Sequence, residues 1–453
     1  MIKLVIYIMN INKNIIFVIP IMIKGVYNMQ EMLHPAEELC RIMERIYDVE
    51  MTSLTGGNAS IMDNEGVMWV TPTSIDKKSL TREDIVKILP DGTVEGKHKP
   101  TSEYHIHRSI LLKRPDIKAV IHAHAPATVT MSVLNQVPET RLAGKIYEVA
   151  GLPGLTPYAL PGSMKLVDTV MQAFENGYDS AILEKHSAFV GSKKGLLDAF
   201  QKFEALDIGA RIQINSHMLG TPKRISDSDL LRRMEGTETI FPEKEVIGRT
   251  CVELDARRVL SDIVRRGYTK KLFASAVGVM SVRTGNQGFV ITPAGGDNGK
   301  MAPEDLVLIE EGYREKGKVP HETAPLHKRI YELHPEIHSV ILASPVYAMG
   351  FAVTDTVYET TLYPESYGVL KQCSRYTYEE LFESWEKIAE GLDLEHPVAV
   401  IQNYGVLLAG PTPILAFDKL EVCESGAQSI HESKRIGIKI PLMTQGQIDE
   451  MSE

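Results

Sequence analysis

Cysteine is scarce: four in 453 residues (Cys40, Cys251, Cys373, Cys423), far apart and without CxxC or CxxH spacing. That excludes a disulfide framework and reads as reduced thiols in a cytoplasmic protein. Basic stripes are missing as well. With 49 basic against 59 acidic residues the net charge is −10, and no long Lys/Arg run interrupts the chain. A nucleic-acid binder must neutralise many phosphates, so nucleic acid is excluded as a partner. Long apolar runs are also absent. The one near Ile15–Ile23 falls short of the about 20 residues a spanning helix needs, and Lys24-Gly25-Val26-Tyr27 is a poor signal-cleavage site. No membrane partner is expected. At 43% hydrophobic and 24% charged residues the remainder is ordinary globular composition.

Residues 1–28 are nearly all Ile, Lys, Asn, Met, Tyr and Val. They read as an over-extended start or disordered extension, with Met29 or Met32 opening the chain proper; a membrane anchor is the other reading. A length of 453 residues, at roughly 150 per domain, points to two or three domains. The chain's internal repeat decides the number. Val70-Thr71-Pro72 returns as Ile291-Thr292-Pro293, and Arg114-Pro115-Asp116-Ile117 as His334-Pro335-Glu336-Ile337. Ala199-Phe200-Gln201-Lys202 likewise returns as Ala416-Phe417-Asp418-Lys419. The offset stays near 220 throughout, too long for a solenoid, so two complete domains stand in tandem. The expected boundaries are 29–236 and 250–453, with 237–249 as linker.

Within repeat one, Leu39, Ile42, Met43 and Ile46 have helical spacing over Pro35–Tyr47, and 197–214 reads as a second amphipathic helix. Gly66–Pro72 and Ala119–His124 are short apolar runs of the kind that form buried strands. The economical architecture is α/β, a central sheet flanked by helices in each repeat.

The chemistry-bearing residues lie in repeat one. In a strand, residues two apart share a face, so Ile121-His122-Ala123-His124 offers two imidazoles side by side to a divalent metal. His186, after another apolar run, is a candidate third ligand. By spacing alone the pair reads as readily as a structural one, and His105/His107 repeats the pattern. Lys99-Pro100-Thr101-Ser102-Glu103 opens a helix that Thr101 or Ser102 can cap. Exposed amides at such a helix start suit a phosphate, and the glycines of Thr55-Gly56-Gly57-Asn58 allow close backbone approach to an anion.

Taken together, Gly-Gly-Asn, Val-Thr-Pro-Thr, Lys-Pro-Thr-Ser-Glu, His-Ala-His and a late Lys-His-Ser resemble the class II aldolase/adducin superfamily. Zinc-dependent fuculose-phosphate aldolases are its familiar members. The resemblance covers nearly all of repeat one and extends more weakly over repeat two. It implies two tandem class II aldolase-like α/β/α domains. It also implies a zinc-dependent aldolase, a carbon–carbon lyase that cleaves a ketose phosphate through a zinc-stabilised enediolate.

Position by position, His122, His124 and His186 match the ligands of zinc or another divalent metal. Glu103 matches the general acid/base, and Asn58, Thr73, Thr101 and Ser102 match phosphate-binding positions. Ser74 and Ser187 stand where the family commonly has glycine. A sugar-phosphate epimerase or dehydratase of the same superfamily, or a non-catalytic adducin-like interaction protein, are the alternatives. Epimerases typically carry Asp at the place of Glu103, and adducin-like domains lack the ligand set, so aldolase leads.

In repeat two the counterparts of His122, His124, His186, Glu103 and Asn58 are Leu342, Ser344, Tyr404, Thr323 and Val279. That copy is expected to hold no metal and to act as a packing partner. The resemblance further implies a homo-oligomer in which a neighbour's tyrosine reaches the substrate. Ala143 occupies that place in repeat one and Tyr363 in repeat two. Two chains with four repeats in a ring would then bring Tyr363 to the site, although Tyr363 equally reads as one of several packed tyrosines.

Overall fold

The computed structural model describes residues 33–230, 241–285 and 288–451; the segment 1–28 and residues 237–240 of the expected linker lie outside them. Repeat one is built on eight strands: β1 (Asn58–Met62), β2 (Met68–Val70), β3 (Val86–Ile88), β4 (Val94–Glu95), β5 (Ala119–Ala123), β6 (Gly154–Thr156), β7 (Ser180–Leu183) and β8 (Ala188–Ser192). They pair in the order β4-β3-β2-β1-β5-β8-β7-β6. All these pairs are antiparallel except β6 with β7.

Repeat two repeats this order. Its strands are β9 (Glu243–Lys244), β10 (Val279–Arg283), β11 (Gly288–Ile291), β12 (Val307–Glu310), β13 (Tyr313–Glu315), β14 (Ser339–Ala343), β15 (Cys373–Tyr376), β16 (Val398–Ile401) and β17 (Gly405–Gly410). The sheet runs β15-β16-β17-β14-β10-β11-β12-β13, with β9 added at the β13 edge. That extra strand lies within 237–249, so part of the expected linker belongs to the second sheet's edge. The registers also coincide, since Asn58 faces His122 and their counterparts Val279 and Leu342 face each other. Two α/β domains of one topology follow from one duplicated sequence.

Helix α1 (Pro35–Asp48) starts where Pro35 fits the first turn and His34 Nδ1 accepts the Ala36 amide at 3.2 Å. It buries Leu39, Ile42, Met43 and Ile46, the predicted stripe. Helix α2 (Tyr104–Lys113) begins later than expected: Glu103, not Thr101 or Ser102, holds its N-cap position, with no side-chain cap. The chain continues through α3 (Pro126–Val133), α4 (Gly144–Ala150), α5 (Met164–Glu175), the 21-residue α6 (Leu196–Ser216) and α7 (Cys251–Thr269). One apolar core joins the repeats. Ile121 and Val190 from the first sheet share it with Phe200 and Phe203 of α6, Leu260 of α7 and Met280 of the second sheet.

Polar locks sit beside that shared core. Arg45 of repeat one gives two hydrogen bonds to Asp297 of repeat two, at 2.6 and 2.7 Å, and a third to Tyr268 at 2.9 Å. Its guanidinium lies 4.5 Å from the Phe200 ring centre and 4.7 Å from that of Tyr268. Glu204 of α6, fully inside, accepts the Ser275 amide at 2.7 Å and also the Ser275 hydroxyl. Burial pushes its carboxyl upward against the pull of those donors. Removing Asp297 from this half-buried pair leaves the Arg45 charge with the Tyr268 hydroxyl alone. Asp297→Ala is therefore expected to cost about 1–3 kcal/mol, read from the urea midpoint of the whole chain. An unchanged midpoint would mean that the apolar core alone joins the repeats.

Candidate metal centre

The site forms where four pieces of repeat one meet. His122 lies in β5 on the same face as Val120, and its ring stacks on Phe189 of β8 with centroids 4.4 Å apart. His124 follows just past the strand's end, so only one of the two expected strand histidines is in the strand proper. His186 sits in the turn between β7 and β8, and Glu103 at the start of α2. One candidate ligand atom from each histidine lies within 4.8 Å of the others.

The tautomers follow from the partners. A carbonyl only accepts, so His122 Nδ1, 2.9 Å from Ala188 O, carries the proton. Its Nε2 therefore faces His124 Nε2, at 3.1 Å, with a lone pair. Glu103 adds its carboxylate, with Oε2 3.4 Å from His122 Nε2 and Oε1 3.8 Å from His186 Nε2. Glu103 Oε1 and His186 Nδ1 are buried without a hydrogen-bond partner. A lone pair on His122 Nε2, two further converging imidazoles and an orphaned carboxylate oxygen suit a divalent cation that keeps a position open. Burial, reinforced by the neighbouring imidazoles, pushes His122 down to about 3; burial likewise lowers His124 and His186. All three are neutral near pH 7, the form that ligates. For Glu103, burial works upward but is outweighed by His122, the Asn58 hydrogen bond and His186, so it stays ionised below the usual range.

Of the other predicted residues, Asn58 and Thr101 contact Glu103, and Thr73 and Ser102 lie beside Thr101. An isolated bridge pairs Pro72 with Pro100, Thr73 N donates to Lys99 O and Thr101 N to Thr71 O, each at 3.1 Å. Thr73, Thr101 and Ser102 are thereby brought side by side. Ser102 is exposed and Thr101 buried, with its Oγ1 accepting the Glu103 amide at 3.4 Å. Asn58 is buried at the start of β1 and donates from Nδ2 to Glu103 Oε2 at 2.9 Å. Gly57 has φ +68°, and a Cβ there would come within 3.0 Å of His122 O, so the loop needs glycine to lie this close to the histidine strand.

Both serines that depart from the family pattern have structural consequences. Ser74 takes φ +57°, a conformation glycine adopts freely. Ser187 donates its hydroxyl to Ala123 O at 2.5 Å, pinning the His186 turn to the end of β5.

Sequence reasoning missed three contributors. His107, fully buried, reaches Asn58 Oδ1 at 2.5 Å and Ser60 Oγ at 2.7 Å. Lys77, 1% exposed, donates to the carbonyls of Pro72 and Ile75 and so braces the turn carrying Thr73; burial pushes it down to about 8. The visible signal for His107 was its place four residues after Glu103, one helical turn along the same face. Nothing in the spacing marked Ser60 or Lys77.

Repeat two keeps the frame without the ligands. The Pro293–Pro320 bridge remains, while Leu342 and Tyr404 are buried where two histidines would stand. Among the described residues the three histidines of repeat one are the group that could hold a metal ion, and no helix is long and apolar enough to cross a membrane.

Comparison with known proteins accords with this geometry. The family described as Class II Aldolase and Adducin N-terminal domain matches residues 37–214 and again 258–431. An L-fuculose phosphate aldolase of Methanocaldococcus jannaschii is 32% identical over 179 residues, covering 39% of this chain and 94% of that protein. A 5-deoxy-D-ribulose 1-phosphate aldolase of Bacillus thuringiensis serovar kurstaki is 29% identical over 208 residues, covering 44% of this chain and 95% of the relative. Among solved structures, an L-fuculose 1-phosphate aldolase matches with 29% identity and a TM-score of 0.42, over 44% of this chain and 94% of its own. With a duplicated topology and two successive matches that together span most of its length, the chain belongs to the class II aldolase and adducin family, and carries its domain twice.

Proposed function

We propose that repeat one, within boundaries 29–236, is a metal-dependent aldolase that cleaves a ketose phosphate, and that repeat two, 250–453, is its non-catalytic companion. The observation that carries this reading is the convergence of His122, His124 and His186 on one point beside an ionised, half-partnered Glu103. Zinc, or another divalent metal held by the three imidazoles, supplies Lewis-acid stabilisation for the negative charge left when the carbon–carbon bond breaks. Glu103 gives a proton to that carbon on cleavage and removes it in the aldol direction. His122 is held by its Nδ1–H bond to Ala188 and presents Nε2 at a fixed angle. Thr73, Thr101 and Ser102 surround the phosphate, and the turn braced by Lys77 keeps Thr73 in place.

The test is metal analysis followed by a substrate screen. One metal per chain is expected, with release of dihydroxyacetone phosphate from L-fuculose 1-phosphate or 5-deoxy-D-ribulose 1-phosphate, the sugars in the relatives' names. Interconversion without cleavage would mean an epimerase instead. Metal without any turnover of ketose phosphates would sink the aldolase reading.

The chain also supports a working assembly. Repeat one's segment before α4 rests on the degenerate site of repeat two: Gly144 N donates to Asn403 O and Asn403 Nδ2 to Leu142 O, both at 2.9 Å. Beside it Val353 is 1% exposed, whereas its counterpart Val133, next to the histidine site, is 59% exposed. A second chain covering that face with repeat two would place Tyr363, at the N-cap of the helix Pro364–Leu370, where Ala143 lies in the contact already made. A dimer with four repeats in a closed ring results. Tyr363→Phe should then lower turnover without lowering metal content, in a protein that sediments as a dimer. A fully active monomer would rule this out.

A further inference from the structure

Asn58 joins two networks. Its Nδ2 lies 2.9 Å from Glu103 Oε2, and an ionised carboxylate only accepts, so the amide nitrogen must face Glu103. Its Oδ1 therefore faces His107 Nε2 at 2.5 Å, and that nitrogen must carry a proton. The neutral ring then accepts at Nδ1, from the Ser60 hydroxyl at 2.7 Å. Every hydrogen in the chain points one way, from Ser60 through His107 and Asn58 to Glu103. His107 and Ser60 are both 0% exposed, so no water competes for these bonds.

Repeat two shows what the chain looks like once its destination is gone. Ser281 Oγ still lies 2.7 Å from His327 Nδ1, and the Tyr331 hydroxyl has joined it at 2.7 Å. Val279 and Thr323 replace Asn58 and Glu103, and His327 Nε2 is left buried without a partner. The serine–histidine pair therefore survives as packing. What the degenerate copy has lost is the link from the imidazole onward.

We infer that His107 is a positioning residue for Glu103: Ser60, His107 and Asn58 form a one-way hydrogen-bond chain that holds Oε2 and leaves Oε1 as the oxygen that moves the proton. This rests on the reading of Glu103 as the acid/base, and it gives Asn58 a duty toward the carboxylate in place of the phosphate. Burial keeps the ring neutral, pushing His107 down to about 4, so the direction of the chain holds at working pH. A fixed amide on one oxygen selects one carboxylate orientation, a form of preorganisation that costs nothing at the moment of proton transfer.

The test uses the metal-loaded full chain with 5-deoxy-D-ribulose 1-phosphate. Asn58→Val reproduces the packing repeat two already tolerates at Val279, so folding is not at issue. Its kcat is expected to fall about 10- to 100-fold, the usual cost of losing a residue that orients a functional group from behind it and below that of losing the acid–base group itself, with KM and metal content nearly unchanged. His107→Leu should behave alike, and His107→Gln, which keeps an N–H at similar reach, should recover most of the loss. Added to Glu103→Gln, neither should cost more, because all act through one group. Nitrogen-15 spectra of the histidine-labelled chain should show His107 as the neutral Nε2–H tautomer, a readout independent of substrate. A raised KM at constant kcat, or a loss additive with that of Glu103→Gln, overturns the inference. An Nδ1–H tautomer overturns it whatever the sugar. Full activity of Glu103→Gln overturns the acid/base reading itself, a result distinct from the other three.

Discussion

Glu103→Gln is expected to lower turnover by about 10²- to 10⁴-fold while metal content and KM change little. The substitution keeps shape and volume. The Asn58 amide, 2.9 Å from Oε2, can still donate to the glutamine oxygen, so the side chain keeps its place. What disappears is basicity: the atom at the position of Oε1 becomes an NH2 group that can neither take nor return a proton. Because Glu103 is 7% exposed, water has poor access to substitute for it. A fall in kcat and kcat/KM together, at constant KM, marks an interaction made only in the transition state. Steady-state kinetics with metal analysis of the same preparation decide the matter. Unchanged activity would reduce Glu103 to the N-cap position it occupies on α2.

His122→Ala should strip the metal. His122 is 0% exposed and tied twice to the neighbouring strand β8, by its bond to Ala188 O and its stack on Phe189, so its Nε2 is firmly placed. Changes behind a ligand already cost about 10- to 100-fold in metal affinity, and loss of the ligand itself should cost more. Expected results are metal content near zero after dialysis, no turnover, and a far-UV spectrum like that of the parent. The fold should persist because the chain contains its own precedent, Leu342 in the same register of the second sheet. Retained stoichiometric metal would place the site elsewhere. Two metals per wild-type chain would contradict an empty repeat two.

That precedent explains how a duplicated domain can do without the metal ligands and keep its fold. Leu342 is 2% exposed and Tyr404 4%, so apolar and aromatic bulk has filled the space of polar ligands. The Tyr404 hydroxyl is satisfied by Glu322 at 2.7 Å. His327 Nε2, buried without a partner, marks the older arrangement, and one unpaired buried nitrogen costs about 1–3 kcal/mol. Packing against repeat one through the shared core gives the degenerate copy a structural reason to remain.

The amino-acid sequence by itself determined the duplication, the α/β class and the candidate metal ligands. Each depends on local pattern: a repeat at constant offset, apolar periods of two and 3.6, and His-Ala-His at the end of an apolar run. By spacing alone that His-Ala-His is no different from His105-Ile106-His107, although the strand expected at Ala119–His124 and the helix expected to open at Lys99–Glu103 already set the two pairs on different elements. Folding separates them. On α2 residues two apart diverge, so His105 is exposed while His107 is fully buried against Asn58. Around the end of β5 the other pair converges, with Nε2 atoms 3.1 Å apart. The tertiary structure alone decided which hydroxyls come together, since the segments of Thr73 and Thr101 meet through the Pro72–Pro100 bridge although they are distant in the chain. It alone also decided that Ser60, His107, Asn58 and Glu103 form one line, because a hydrogen-bond chain from strand to helix exists only once β1 and α2 pack.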